Sequence, residues 1–155
     1  MERKTKVHAE EGTQDILITR EFDLPVELLF KAYTEPVIVA QWMGTKVLKM
    51  ESKKHGAYEF ETTDPQGNVL FSAHGTIHDI IPDQKIIRTF EMANAGFDVQ
   101  TEFILFEALT DDTSKLTIQS VFRSAACRDA QLKLPFAWGI NMAHDRLQQI
   151  TKALK

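Results

Sequence analysis

The sequence predicts an α+β fold in which an antiparallel β-sheet meander wraps around a long C-terminal helix. Three observations predict this fold: β-rich segments separated by short turns fill the middle of the chain, two short helical segments precede them, and an apolar stripe with helical spacing ends the chain. With 155 residues, 43% of them hydrophobic and 26% charged, the chain has the size and composition of one ordinary globular domain.

A strand and two short helices are expected at the start of the chain. Residues 1–13 are polar and are expected to form a loose arm or the start of an edge strand, with a single domain over residues 14–155. The segment Asp15–Phe22 is rich in β-branched and aromatic residues, which favours a strand. Prolines stand where helices can begin, and the spacing of the apolar residues predicts helices over Pro25–Tyr33 and Pro36–Trp42.

The middle of the chain predicts a run of further strands. From Lys46 onward the apolar residues change from helical spacing to alternation. Short segments rich in Asp, Pro, Gly and Asn separate the apolar stretches, and these residues are typical of hairpin turns. The predicted strands are Val47–Ser52, Ala57–Thr63, Val69–Ile81, Lys85–Met92, Val99–Leu109 and Lys115–Phe122.

The last predicted element is a long helix that begins after Pro135. Its apolar residues recur at steps of three and four and form one continuous face, which must pack on another element, and the sheet is the large partner expected. The preceding segment, Ser124–Pro135, is expected to be a loop and a candidate lid. The apolar face consists of Phe136, Ile140, Ala143, Leu147, Ile150 and Leu154.

This order of elements is that of the START-like (SRPBCC) or helix-grip fold, and local motifs sharpen the resemblance. The segment Pro25–Pro36 resembles the opening of the activator of heat-shock protein 90 ATPase homologue family. Trp42–Gly44 is similar to the Trp-Trp-Gly or Trp-Met-Gly signature that ends the family's second helix. The resemblance covers roughly residues 15–154, with further similar motifs at residues 55–58, 74–75, 88–91, 120–122 and 145–147.

The resemblance implies a fold more strongly than it implies a function. Members are mostly uncharacterised bacterial proteins, and the wider superfamily includes lipid carriers, hormone receptors, polyketide cyclases and aromatases. We therefore expect a small hydrophobic ligand (a lipid, a polyketide-like or an aromatic molecule) in a cavity between the sheet and the C-terminal helix. Two alternatives stay open: a cyclase, aromatase or hydratase-like enzyme using the same cavity, and a protein-interaction or chaperone-accessory module.

Composition argues against several other classes of protein. The formal net charge of -4 and the absence of a basic stripe argue against nucleic-acid binding. No apolar run is long enough to cross a bilayer, and the chain starts with polar residues instead of an apolar signal core, so we expect a cytoplasmic protein without membrane insertion. The sequence contains no phosphate-binding glycine loop and no nucleophile elbow, and no cofactor is expected.

Two histidines four residues apart, His74 and His78, raise the question of a metal site. On a helix this spacing would let both side chains bind one ion. On the predicted strand they are four steps of about 3.3 Å apart, roughly 13 Å, which is too far for a single zinc ion. No metal site is therefore predicted.

Hairpin geometry predicts a polar row across one face of the sheet. A symmetric turn at residues 94–96 places Arg88 opposite Glu102, and a symmetric turn at residues 111–112 places Glu102 beside Ser120. The apolar residues that share this parity put the row on the helix-covered face, where an ion pair is costly unless it also binds something polar. The pair is expected to orient a ligand carboxylate, hydroxyl or carbonyl, or else to be a buried salt bridge that fixes the strand register or an exposed one at the cavity mouth.

His78 extends this row if the turn before Lys85 is symmetric, because it would then lie next to Arg88. The apolar residues of its strand conflict in parity with Ile80, and a bulge near His78 and Asp79 would reconcile them. Acid–base catalysis through the row stays open. The candidate ligand-binding residues are Trp42, Phe60, Phe71, His78, Arg88, Phe90, Glu102, Ile104, Ser120, Phe122, Phe136 and Ile140.

Overall fold

An eight-stranded antiparallel sheet carries the fold in the computed structural model, which describes residues 4–93 and 98–154. The strand order is β1-β2-β8-β7-β6-β5-β4-β3, so that the chain runs as a meander from β3 to β8 and the first two strands join its end. The elements are β1 (Lys6–His8), β2 (Asp15–Phe22), α1 (Val26–Thr34), α2 (Pro36–Met43), β3 (Lys46–Met50), β4 (Ala57–Thr63), β5 (Val69–Ile81), β6 (Lys85–Met92), β7 (Gln100–Ala108), β8 (Ser114–Val121), α3 (Ala125–Leu132) and α4 (Phe136–Lys152).

The predicted α+β meander with two early helices and a long final helix is confirmed. Strands β2, β4, β5 and β6 have the predicted bounds, because alternation and turn residues are local signals. Within the polar segment at the start of the chain, residues 6–8 form an edge strand that pairs with β2. The turn expected at residues 94–96 lies outside the described residues.

The loop expected over Ser124–Pro135 is wrong for most of its length, because α3 lies within it. Ser124 caps this helix, since its hydroxyl accepts a hydrogen bond from the backbone N–H of Cys127 at 3.1 Å. The buried Arg128 then connects α3 to the loop before β2 by donating to the carbonyl of Glu10 at 2.6 Å. This segment is therefore a helix bound to the body of the protein, and not a free lid.

The two short helices form one unit that supports α4. The indole N–H of Trp42 donates to the carbonyl of Ala32 at 2.6 Å, and Gly44 ends α2 in the left-handed conformation with φ of 65°. Helix α4 lies closest to α2 and also contacts α1, which in turn contacts β7 and β8. The sheet is also a partner of α4, as expected, since the ring of His144 lies 5.5 Å from that of Phe22 on β2.

Helix α4 is packed unevenly along its length. Its second half carries fully buried residues, His144, Leu147 and Thr151, whereas Phe136 and Ile140 in its first half are only partly buried. The first half of α4 is therefore less tightly packed than its second half. Among residues 4–93 and 98–154, no helix combines the length and the apolar composition that a membrane span requires.

Candidate ligand-binding site

A polar row crosses the buried face of the sheet, as the hairpin geometry predicts. Arg88 pairs with Glu102, and Glu102 pairs with Ser120 on the next strand. The Nε of Arg88 lies 2.8 Å from Oε1 of Glu102, and the two side chains are 10% and 13% exposed. We call this face the concave face; it also carries the buried side chains of Ile16, Phe60, Ile86, Ile104, Ile118 and Phe122.

His78 does not belong to the row. The register of β5 against β6 shifts between Ile77, which pairs with Arg88, and Asp79, which pairs with Ile87. The predicted bulge is confirmed, and His78 is its extra residue. Its side chain is exposed, so the expected neighbourhood of His78 and Arg88 is wrong.

Both tyrosines of the chain lie against the Arg88 guanidinium. The ring centroids of Tyr33, from α1, and Tyr58, from β4, are 5.9 and 5.0 Å from its Cζ atom. Aromatic rings at these distances attract a cation and shield it from water. Neither tyrosine was among the candidates. Tyr58 shares the parity of Phe60 on its strand, but nothing in the local sequence indicates that it reaches β6.

Tyr58 reaches β6 by passing over a glycine. It pairs with Gly75 on β5, and its hydroxyl donates to the backbone carbonyl of Thr89 on β6. The N–H of Thr76 bonds to the Thr89 hydroxyl instead, at 3.0 Å, which interrupts the ladder between β5 and β6. A Cβ atom on Gly75 would lie 2.0 Å from the Thr89 carbonyl oxygen and 2.6 Å from the Tyr58 hydroxyl. Glycine is therefore required for this arrangement.

Arg88 keeps unused hydrogen-bond donors. Among the described residues its Nε–H has a partner, Glu102, whereas the four N–H groups on its two terminal nitrogens have none. The second carboxylate oxygen of Glu102 has a weak contact with Gln100 at 3.4 Å. Burial alone would lower the pKa of Arg88, but Tyr58 and Glu102 outweigh it and raise that pKa above its ordinary value. The guanidinium therefore stays charged.

The apolar candidates fall into two groups. Trp42, Phe60, Ile104 and Phe122 are buried, as is the polar Ser120. The remaining four are only partly buried and lie on the concave face or on the first half of α4; they are Phe71, Phe90, Phe136 and Ile140. Phe90 lies two residues from Arg88 on β6 and therefore on the same face, so a partly exposed apolar side chain neighbours the ion pair, as a ligand-binding cleft requires.

A second polar cluster lies under α4. The imidazole of His144 is fully buried, with Nε2 3.3 Å from the Tyr33 hydroxyl and Nδ1 2.8 Å from the Thr5 hydroxyl. Burial, and then the nearby Arg20, lower the pKa of His144 to about 3. The imidazole is therefore neutral at physiological pH. Tyr33 belongs to both clusters, because its ring contacts Arg88 and its hydroxyl contacts His144.

Arg20 and Thr5 complete this cluster. Arg20 lies 2.8 Å from the carboxylate of Asp145 and donates to the Thr5 hydroxyl at 3.3 Å. The backbone N–H of Thr5 donates to the side chain of Asn141 at 3.0 Å. The residues just before β1 are thereby connected to α4. No local sequence pattern indicates this connection, because Thr5 and its partners on α4 are more than 100 residues apart along the chain.

Replacing Gly75 by alanine should displace Tyr58 from Arg88. We expect Gly75→Ala to lower the free energy of unfolding by about 1–3 kcal/mol, because the added methyl group overlaps the Thr89 carbonyl and the Tyr58 ring. Gly139→Ala, in α4, is the matched control: a Cβ there meets nothing within 4 Å and should stabilise the protein by about 0.5–1 kcal/mol. Urea denaturation measures the free energy of unfolding of both variants. Equal changes in the two would mean that the Thr89 carbonyl and Tyr58 do not lie close to Gly75.

The neutral His144 should make the protein less stable in mild acid. Since its pKa is lowered from 6.5 to about 3, the unfolded chain takes up a proton below pH 6.5 that the folded protein does not. The free energy of unfolding should therefore fall by about 1–2 kcal/mol from this group between pH 6.5 and pH 5.

Urea denaturation across this range should show a smaller loss for His144→Gln than for the unchanged protein. His78→Gln, which alters an exposed histidine, is the control and should keep the full loss. The same pH dependence in all three proteins would mean that His144 is not held neutral.

Comparisons with known proteins support the same fold. A protein from Rhodobacter sphaeroides superimposes with a TM-score of 0.85 at 18% identity, over 97% of this chain and 99% of that chain. Ms6760 from Mycobacterium smegmatis gives a TM-score of 0.83 at 19% identity, over 95% of this chain and 96% of that one. At such identities the likeness shows the fold alone.

A search of the curated proteins finds no match. The sequence profile of one family, described as Activator of Hsp90 ATPase homolog 1-like protein, matches residues 23–152, and the resemblance seen in the sequence is thereby confirmed. The chain belongs to the Activator of Hsp90 ATPase homolog 1-like family.

Proposed function

We propose that the protein binds a small hydrophobic molecule, such as a lipid, a polyketide-like or an aromatic compound, between the sheet and α4. Membership of the family suggests a ligand-binding fold without naming a ligand. In this proposal the partly buried apolar side chains contact the body of the ligand, and Arg88 donates hydrogen bonds to its polar group.

The observation that carries the proposal is the state of the Arg88 guanidinium. It is buried, it is paired through Nε with Glu102, and its terminal nitrogens have no hydrogen bond to the described residues. Among the described residues, the fully buried side-chain atoms without a partner are Nε of Arg20 and Oγ1 of Thr151, so the terminal nitrogens of Arg88 lie at accessible surface. A ligand acceptor can therefore reach them and accept charge-assisted hydrogen bonds, which an ion pair that only fixed strand register would not need to offer.

The enzyme alternative loses one of its expected groups. A cyclase, aromatase or hydratase-like activity at this site would need an acid or base beside the ligand. Of the ionisable residues expected in the row, His78 is exposed on the bulge, while Arg88 and Glu102 remain on the concave face. Binding therefore needs fewer assumptions than catalysis.

A protein-interaction module is the second candidate, and one observation favours it. The outer face of the sheet exposes apolar side chains on two strands separated by β8, among them Leu17 on β2 and Phe103 and Leu105 on β7. Exposed apolar patches can mark interfaces with other proteins. The affinity of a protein partner for this face should not change when Arg88 is substituted, because Arg88 lies on the concave face.

A thermal-shift screen tests the binding proposal. Fatty acids, flavonoids, polyketide-like aromatics and sterols are each titrated, and one class should raise the melting temperature with increasing concentration, since a ligand that binds the native state stabilises it. In the double variant Arg88→Met/Glu102→Gln the affinity for that class should fall about tenfold, because the hydrogen bonds from a charged donor are lost.

The matched control changes an exposed ion pair in the same way. Arg123 lies 2.8 Å from Asp98 at the surface, and Arg123→Met/Asp98→Asn should leave the affinity unchanged. If no class shifts the melting temperature, or if binding survives intact in the Arg88→Met/Glu102→Gln variant, the proposal is wrong.

A further inference from the structure

We infer that the ligand is electrically neutral and offers the site a hydrogen-bond acceptor, as the carbonyl of an aromatic ketone, ester or amide does. This inference rests on the proposed function and names the class of ligand for the same site.

The buried arginines are already paired with carboxylates, of which those of Asp145 and Asp129 are exposed. Three arginines are buried among the described residues, and each has its own carboxylate within 2.8 Å. The neighbouring polar cluster adds no net charge, because Arg20 is paired with Asp145 and His144 is neutral at physiological pH. The pairs are Arg20 with Asp145, Arg88 with Glu102 and Arg128 with Asp129.

A charged ligand would disturb this balance at Arg88. A ligand carboxylate bound there would lie close to the Glu102 carboxylate, which is 13% exposed and already shares the guanidinium. Two carboxylates around one cation in a poorly solvated site repel each other, and one of them would have to take up a proton. A cationic ligand would compete with Arg88 for Glu102. A neutral ligand brings neither cost.

The polar group of the ligand must include an acceptor for Arg88. Every free polar atom of Arg88 is a donor, since a guanidinium has N–H groups and no acceptor. The hydroxyl groups of the two nearby tyrosines already have partners within the protein. The Tyr58 hydroxyl donates to the Thr89 carbonyl, and the Tyr33 hydroxyl is in contact with His144. A carbonyl oxygen can accept from both terminal nitrogens of Arg88.

The experiment compares three compounds that share one body. N-phenyl-1-naphthylamine serves as a neutral fluorescent reporter, and 2-acetylnaphthalene, 2-naphthoate and 2-ethylnaphthalene compete with it. The ketone should displace the reporter at a concentration about tenfold lower than either the carboxylate or the hydrocarbon, because it alone is neutral and offers an acceptor to a charged donor.

Glu102→Gln makes the test sharper by removing the compensating charge while keeping the shape of the side chain. In this variant 2-naphthoate should displace the reporter at a concentration about tenfold lower than 2-acetylnaphthalene, since Arg88 is then an unpaired cation. Glu107→Gln changes an exposed glutamate on the same strand and should keep the original order. Thermal melting verifies that both variants are folded, and the series on the unchanged protein decides the matter alone if Glu102→Gln does not fold.

The outcomes separate this inference from the proposed function. If 2-naphthoate displaces the reporter from the unchanged protein as well as the ketone does, the protein binds ligands but the preference for neutrality is wrong. If 2-ethylnaphthalene matches the ketone, the requirement for an acceptor is wrong. If neither the reporter nor any competitor binds, and no class of compound raises the melting temperature in the thermal-shift screen, the proposed function fails and this inference fails with it.

Discussion

A guanidinium on the apolar face of a sheet is stable only with a partner carboxylate and with neighbours that tolerate its charge. Arg88 has both, in Glu102 at 2.8 Å and in the rings of Tyr33 and Tyr58. Each partner comes from a different element, so the contacts of Arg88 connect β6 with β4, β7 and α1. Strand β5 also takes part, because the missing side chain of Gly75 lets Tyr58 pass over β5 and reach β6. These five elements therefore meet at Arg88 on the concave face.

Tyr33 connects the Arg88–Glu102 pair to α4. Its ring lies 5.9 Å from Arg88, and its hydroxyl lies 3.3 Å from the buried His144, which in turn contacts Thr5 near the start of the chain. The ion pair, α4 and the segment before β1 therefore form one connected set of contacts. A ligand that moved Tyr33 would change contacts at both ends of this set, although the residues concerned are far apart in the sequence.

Local signals were enough for most of the fold and for the ion pair. Alternation and turn residues gave the strands, and symmetric turns then put Arg88 opposite Glu102. Counting residues outward from a symmetric turn gives the wrong partner for His78, because the bulge inserts an extra residue into β5 and shifts the register. Helix α3 was missed although Ser124, a good capping residue, preceded it. The positions of Tyr58 and His144 depend on partners brought together by the whole fold, and no local pattern indicates them.

A crystal structure of the protein with 2-acetylnaphthalene bound would show directly whether Arg88 holds a ligand. The ligand should lie between the sheet and the first half of α4, in contact with Phe90 and Ile140, with its carbonyl oxygen about 2.9 Å from a terminal nitrogen of Arg88. A ligand on the outer face of the sheet would contradict this expectation. So would a ligand on the concave face whose carbonyl points away from Arg88, since the ion pair would then serve only the fold.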